Sequence, residues 1–297
     1  MSPPLKIDRR AWLKAAAAPL ALSALGTQAA DNSSAVSLCA FEKFIQRLSC
    51  RELADALAEI GFAGVEATVR RGGRIEPEKV EDELPRLVEA LGKRDLEVAI
   101  ATTDVLDADD PAGRKVLETC AAYGIKRYRM SHYRYDRRRD IPAQLAELKP
   151  KFAALAELNR ELGLVGLYQN HSGFGFVGAT VWDLYELIKD LPPGNLAMAF
   201  DIRHATVEAG LSWDVLYQLM RPHIGAVFVK DFRWQGRVAE NAPLGSSIDP
   251  AFFRLLRQDA FSGPVSLHVE YLPDAGVAEN LQALRRDYAL LTKWLAA

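Results

Sequence analysis

The sequence predicts an α/β fold, a single-domain (β/α)₈ barrel of the TIM type that spans residues 31–297. Two observations carry this prediction. Short apolar segments alternate with amphipathic helical segments from residue 35 onward, giving eight strands and about eight helices. The segment Leu196–Phe200 has no polar side chain, which is typical of a strand buried on both faces in a parallel sheet. A doubly wound open sheet is the alternative fold.

The predicted strands are bounded by turn residues and by polar side chains. In chain order they are residues 35–41, 62–69, 96–103, 125–130, 164–170, 196–201, 224–231 and 264–270. The longest predicted loop, residues 232–248, joins the seventh strand to its helix at the face where barrel enzymes carry their active sites. Loops of that length are usually functional or mobile, so this one is a candidate part of the site.

Capping signals set the bounds of the predicted helices. Ser49 and Glu52 have the spacing of a capping box, and Pro111 is placed at the first position of the third helix. Thr180 is predicted to cap the fifth helix, and Asp249 the seventh. The helices are predicted at residues 49–60, 77–94, 111–123, 142–162, 180–190, 213–220, 249–258 and 278–295.

The first thirty residues have the layout of an export signal. Residues 1–14 are basic and contain Arg9-Arg10-Ala-Trp-Leu-Lys14, residues 15–25 are uncharged and mostly apolar, and small residues follow. The paired arginines resemble those of a twin-arginine signal. We therefore expect residues 1–30 to be a twin-arginine-type signal peptide and the mature protein to be periplasmic or otherwise exported. The apolar segment is too short for a membrane span, so we expect no stable span after its removal.

The charge of the chain indicates which class of ligand to expect. The full chain has a net charge of −2, and removal of residues 1–30 takes away four basic residues and one acidic residue, which leaves −5. Domains that bind nucleic acid are typically basic. We therefore expect no nucleic-acid partner and a small-molecule ligand instead, while the sequence leaves the oligomeric state open.

Polar side chains collect where the predicted strands end. They include Glu66, Arg129, Gln169, His171, Asp201, Arg203, His204, Lys230, His268 and Glu270. The carboxyl ends of barrel strands meet at one rim, and alternation along a strand places His268 and Glu270 on the same face. Carboxylate, amide and imidazole groups together suit Mn²⁺, Mg²⁺ or Zn²⁺. The alternatives are salt bridges at the rim, such as Lys230 with Glu270, and a capping role for Asp201.

Four of these strand ends resemble those of the xylose-isomerase-like TIM barrel superfamily, the sugar phosphate isomerase/epimerase family. They are Gln169-Asn-His-Ser-Gly, Asp201-x-x-His204, Val-Lys230-Asp and His268-Val-Glu270, and the resemblance extends from Val36 to Leu295. The resemblance implies one divalent metal held by Glu on strand five, Asp on strand six, His on strand seven and Glu on strand eight. The two Glu residues would also act as acid and base on a sugar carbon.

The match to that ligand set is partial. Asp201 and Glu270 agree with it, but Gln169 stands in place of the Glu and Phe228 in place of the His. His204 or His268 would then supply the imidazole. The resemblance thus implies Mn, Zn or Mg as a cofactor, with loss of the metal as the alternative. The candidate metal ligands are Gln169, Asp201, His204, His268 and Glu270.

The remaining chemistry centres on Glu270 as a base and Lys230 as an acid or electrophile. Removal of a proton next to a carbonyl needs a base near the carbon and a group that stabilises the enediolate oxygen. We therefore expect an isomerase or epimerase that acts on a sugar or keto-sugar, with or without a metal. The alternatives are a lyase acting on 3-keto-sugars and a catalytically degenerate carbohydrate-binding barrel. The predicted substrate-binding residues are Glu66, Arg129, His171, Arg203 and Trp234.

Overall fold

The computed structural model describes residues 36–297, in which eight parallel strands close into a barrel. The predicted signal peptide lies outside the described residues. The barrel strands are β1 Leu38–Phe41, β2 Gly64–Val69, β3 Glu97–Thr103, β4 Arg127–Arg129, β5 Val165–Gln169, β6 Leu196–Asp201, β7 Ile224–Val229 and β10 Val265–Leu267. Each pairs with the next in this order, and β10 pairs with β1. The predicted (β/α)₈ barrel is therefore confirmed.

Helices follow the strands around the outside of the barrel. They are α1 Cys50–Ile60, α2 Val80–Gly92, α3 Pro111–Ala122, α4 Ile141–Leu162, α5 Trp182–Ile188, α6 Ile202–Ala209, α7 Trp213–Met220, α8 Ala251–Gln258 and α9 Val277–Ala296. The capping box is confirmed, because the Ser49 hydroxyl accepts the Glu52 N–H and the Glu52 carboxylate accepts the Ser49 N–H. Among residues 36–297, no helix combines the length and apolarity that a membrane crossing needs.

Three local predictions differ from the structure. The capping position of α5 is Val181 with φ 67°, and the Thr180 hydroxyl bonds the Asp183 side chain instead of a backbone N–H. Helix α6 lies between the sixth strand and the predicted helix 213–220, where no helix was predicted, and Asp201 caps it directly after the strand. The predicted loop 232–248 contains an antiparallel hairpin, formed by β8 Asp231–Gln235 and β9 Val238–Ala242.

Alternation along the strands separates two apolar cores. Ala197, Ala199 and Phe228 belong to a small core inside the barrel, whereas Phe200 stacks on Phe252 in the larger core beneath the helices. Asp201 lies two residues after Ala199 and four after Ala197, so all three are on the same face of β6. The strand period therefore directs its carboxylate into the barrel, and the same argument applies to the other polar residues at the strand ends.

A glycine-rich turn follows β5 and has the Gly-x-Gly-x-x-Gly spacing of dinucleotide-binding proteins, at Gly173, Gly175 and Gly178. All three residues have positive φ. The Gly173 N–H donates to the Glu208 carboxylate, and the Gly178 N–H donates to the Asp183 carboxylate, both at 2.8 Å. Because carboxylates of α5 and α6 occupy two of its N–H groups, this turn connects those two helices and is not arranged to bind a phosphate.

Candidate functional site

A buried carboxylate–imidazole pair forms the floor of the barrel mouth. His268 Nε2 lies 2.8 Å from Glu66 Oε2, and neither side chain is exposed. The hydroxyls of Thr102 and Ser266 each donate to Glu66 at 2.6 Å. Glu66 was predicted to bind substrate, but its oxygens already accept three hydrogen bonds below the mouth. The structure places it under His268 rather than at the surface of a pocket.

The Glu66–His268 pair is charged despite its apolar surroundings. The His268 ring lies between Phe41 and Phe228, with ring centroids 4.4 and 4.8 Å away. Burial raises the pKa of Glu66, but the charge and hydrogen bond of His268, together with Arg129, outweigh burial and lower it to about 2. Burial lowers the pKa of His268, yet Glu66 outweighs this and raises it above the ordinary value.

The ammonium group of Lys230 bridges two carboxylates above this floor. Lys230 Nζ lies 3.2 Å from Asp201 Oδ2 and 3.8 Å from Glu270 Oε1. The other oxygen of Asp201 accepts the backbone N–H of His204 at 3.0 Å, so Asp201 also caps α6. The capping role of Asp201 is therefore confirmed, and the same carboxylate also pairs with Lys230.

Gln169 is held by two charged neighbours. Its amide nitrogen donates to Asp201 Oδ2 at 2.7 Å, and its amide oxygen accepts from Arg129 Nη1 at 2.8 Å. Arg129 Nε lies 3.9 Å from Glu66 Oε1, so one guanidinium connects the floor with the rim. The oxygen that was predicted to bind a metal is therefore directed at a guanidinium cation.

Three imidazoles form one wall of the mouth. The ring centroids of His171 and His204 are 4.1 Å apart, those of His132 and His171 are 5.2 Å apart, and His204 Nδ1 contacts the Ser172 hydroxyl at 2.7 Å. Burial, aided by neighbouring cations such as Lys230, lowers the pKa of His132 to about 2, that of His171 to about 4, and that of His204 well below its ordinary value. All three are neutral at neutral pH and offer hydrogen bonds without charge.

Arg203 and Trp234 lie away from the centre of the mouth. Arg203 Nη2 donates to the Ala239 carbonyl of the hairpin at 2.8 Å, and its guanidinium lies over Phe232. Trp234 packs edge-on against the same Phe232 and is 52 % exposed. These contacts hold the hairpin against α6, and neither side chain lines the cavity at the mouth.

A cavity of about 190 Å³ lies over the floor. Five of the predicted site residues line it, namely Arg129, Gln169, His171, Lys230 and Glu270. Lys43 and Arg70 also line it and were not predicted, although each lies just after a barrel strand. Arg70 directly follows the predicted second strand, residues 62–69, so its position at the strand end was the signal that could have pointed to it. We call this space the inner cavity.

Comparison with known proteins places this barrel in a family. The sequence model of one protein family, described as the xylose isomerase-like TIM barrel, matches residues 54–287 of this chain. The chain belongs to that family. No curated protein sequence matches it.

Solved structures in this fold include sugar epimerases. The 3-keto-D-glucoside 4-epimerase YcjR from E. coli is similar at 18 % identity with a TM-score of 0.67, over 87 % of this chain and 99 % of that one. A D-psicose 3-epimerase is similar at 13 % identity with a TM-score of 0.64, over 88 % and 100 %. The IOLI protein, solved with a zinc atom, is similar at 18 % with a TM-score of 0.67, over 88 % and 100 %. Identities this low show a shared fold.

The residues of this family member do not fit the four-donor metal site that the resemblance implied. Phe228 has no donor atom, Gln169 turns its oxygen to Arg129, and His268 Nε2 is bound to Glu66. Lys230 already places a positive charge between the two matching carboxylates. His204 Nε2, buried without a hydrogen bond 3.6 Å from Asp201 Oδ2, provides at most a two-donor site with it. In residues 36–297 no three His, Cys, Asp or Glu side chains converge as metal ligands.

We therefore expect the purified protein to contain far less than one equivalent of Mn, Zn or Mg, because the Lys230 ammonium repels a dication from Asp201 and Glu270. Elemental analysis of wild type and an Asp201→Asn variant measures this, and both are expected to give the same low content. Lys230→Gln is the matched control, because it removes the positive charge that competes with a metal ion for Asp201 and Glu270. One equivalent in wild type that is lost in Asp201→Asn would show that His204 completes a metal site.

Proposed function

We propose that this chain is a sugar isomerase or epimerase that removes a proton from the carbon next to the carbonyl of a sugar or keto-sugar. The observation that supports this is the pairing of Glu270 and Lys230, whose charged atoms lie 3.8 Å apart in one cavity at the carboxyl ends of the strands. In barrels of this type that face carries the chemistry. The epimerases with the same fold are consistent with the proposal.

Glu270 has the charge state that a base requires. Burial raises the pKa of Glu270, but the charges of Lys230 and His268 outweigh burial and lower it well below its ordinary value. His268 Nδ1 lies 3.5 Å from Glu270 Oε1, so the Glu66–His268 pair holds the carboxylate from below. When a substrate oxygen takes over the Lys230 ammonium, Glu270 loses part of its ionic partner and becomes more basic.

Lys230 provides the positive charge that the carbonyl oxygen needs as the proton leaves the neighbouring carbon. As Glu270 takes the proton, the electron pair of the broken C–H bond forms a C=C bond and the carbonyl oxygen becomes an enolate oxygen. The Lys230 ammonium stabilises that oxygen, and the neutral His171 and the Arg129 guanidinium hydrogen-bond the neighbouring hydroxyls. If the proton of the neighbouring hydroxyl moves to the enolate oxygen and Glu270 returns its proton to the former carbonyl carbon, the product is an isomer. If solvent delivers a proton to the opposite face of the original carbon and Glu270 releases its own to solvent, the product is an epimer.

Solvent deuterium exchange tests this function. Wild-type protein is incubated in D₂O with a panel of neutral and anionic aldoses, ketoses and 3-keto-glucosides, and proton NMR follows each carbon next to a carbonyl. We expect deuterium to enter at that carbon of at least one sugar, together with an isomer or epimer. Exchange followed by loss of a neighbouring substituent would indicate the 3-keto-sugar lyase instead. Binding of sugars without exchange in any of them would favour the carbohydrate-binding barrel and contradict the proposal.

A further inference from the structure

Two cations stand at the junction of the inner cavity with a larger cleft. The cleft has a volume of about 640 Å³ and is formed by the loops after β1, β2, β3 and β10. Lys43 and Arg70 line both spaces. The cleft falls within the range of roughly 300–1,000 Å³ that is usual for small-molecule sites, so a ligand larger than the inner cavity can extend into it. We call this space the outer cleft.

Neither of these cations has an acidic partner in the described part of the chain. The buried cations around them are paired: Lys230 with Asp201 and Glu270, and Arg129 with Glu66. In residues 36–297 no carboxylate oxygen lies within 4.0 Å of Lys43 Nζ or of the Arg70 guanidinium, and neither side chain donates a hydrogen bond. Lys43 instead lies over the ring of Phe44.

Arg70 is the more informative of the two because it is partly buried. Burial and the nearby charge of Arg129 lower its pKa, and the carboxylates of Asp104, Glu66 and Glu270, all more than 4.0 Å away, offset this only in part. A guanidinium that is partly removed from water beside another cation is destabilised unless an anion compensates it. Since residues 36–297 supply no such anion within 4.0 Å, a ligand that carries one would be stabilised here.

The charges along the outer cleft favour the same class of ligand. Of its two acids, Asp104 accepts the Arg71 backbone N–H at 2.9 Å and lies 3.6 Å from the Arg71 side chain. Asp274 is the other acid, and the three remaining cations are Lys43, Arg47 and Arg70. The cleft is therefore positive on balance, in a chain whose net charge is negative.

We propose that the substrate carries an oxyanion, such as the carboxylate of a sugar acid, and that Arg70 and Lys43 bind this group at the junction of the two spaces. This placement rests on the proposed function, because it puts the reacting carbon in the inner cavity between Glu270 and Lys230. A sulfate or phosphate ester on the sugar presents the same chemistry to the guanidinium. The oxyanion fixes one end of the substrate and thereby orients the other end.

Calorimetric titration separates this inference from catalysis, because it needs no turnover. Wild-type protein is titrated with glucuronate, glucose 6-sulfate, glucose 6-phosphate and neutral glucose. We expect at least one anionic sugar to bind about 10- to 100-fold more tightly than glucose, the range for a hydrogen bond to a charged group. The preferred anion identifies the source of the oxyanion, and its affinity is expected to fall with added salt.

Variants of Arg70 provide the structural control. Arg70→Met is expected to reduce binding of the preferred anion to the level of glucose, and Arg70→Lys to keep part of the preference. Arg254→Met, which removes an exposed arginine of α8, is expected to change neither. Unchanged glucose binding shows that Arg70→Met is folded. Equal affinity of wild type for glucose and all three anions would overturn the inference, whereas anion selectivity without deuterium exchange would overturn only the proposed function.

Discussion

Glu270→Gln is expected to lower kcat about 10²- to 10⁴-fold on any sugar that exchanges deuterium, the usual contribution of a general base. Gln keeps the shape of the side chain beside His268 Nδ1, but it cannot take a proton at neutral pH. We therefore expect KM to change little and deuterium exchange to fall in parallel with turnover. Steady-state kinetics and exchange rates on the same sugar measure both effects.

A matched control is available on the hairpin. Glu240 is exposed on β9, and Glu240→Gln removes one carboxylate without touching the inner cavity. This variant is expected to keep wild-type turnover. If Glu270→Gln also kept its turnover and exchange, the base would have to be another group, and the pairing of Glu270 with Lys230 would be a salt bridge of the rim.

Strand periodicity explains why the main parts of the site could be predicted from the sequence. Parallel strands buried on both faces read as uninterrupted apolar segments, so the polar residue that ends each one stands out. Asp201, Lys230 and Glu270 were found in this way. Because barrel strands all end at the same rim, their proximity followed from the fold without any knowledge of distances.

The partners of those residues could not be predicted in the same way. The sequence does not show that Gln169 directs its oxygen at Arg129, because that depends on the distance between β4 and β5 at their ends. Glu66 was assigned to the substrate and His268 to a metal, whereas they bind each other across 202 residues of sequence. Trp234 was placed in the pocket because the hairpin that carries it away from the inner cavity was not recognised.

His268→Gln is expected to lower the free energy of unfolding by about 3–5 kcal/mol, the usual cost of removing one partner from a buried ion pair. The Glu66 carboxylate would remain fully buried with Thr102 and Ser266 as its nearest donors. The double variant Glu66→Gln/His268→Gln removes both charges and is expected to recover part of the loss. Urea denaturation of the three proteins measures the difference.

The pH dependence of the stability difference between wild type and the double variant shows whether Glu66 and His268 are charged. The pKa of Glu66 falls from 4.5 to about 2 on folding, so its contribution is present above pH 4.5 and is lost as the pH falls through 2. The pKa of His268 is raised above 6.5, so its contribution is present below pH 6.5 and is lost as the pH rises through the folded value. The advantage of wild type over the double variant should therefore be largest between pH 4.5 and 6.5. An advantage independent of pH would mean that the two side chains share a neutral hydrogen bond.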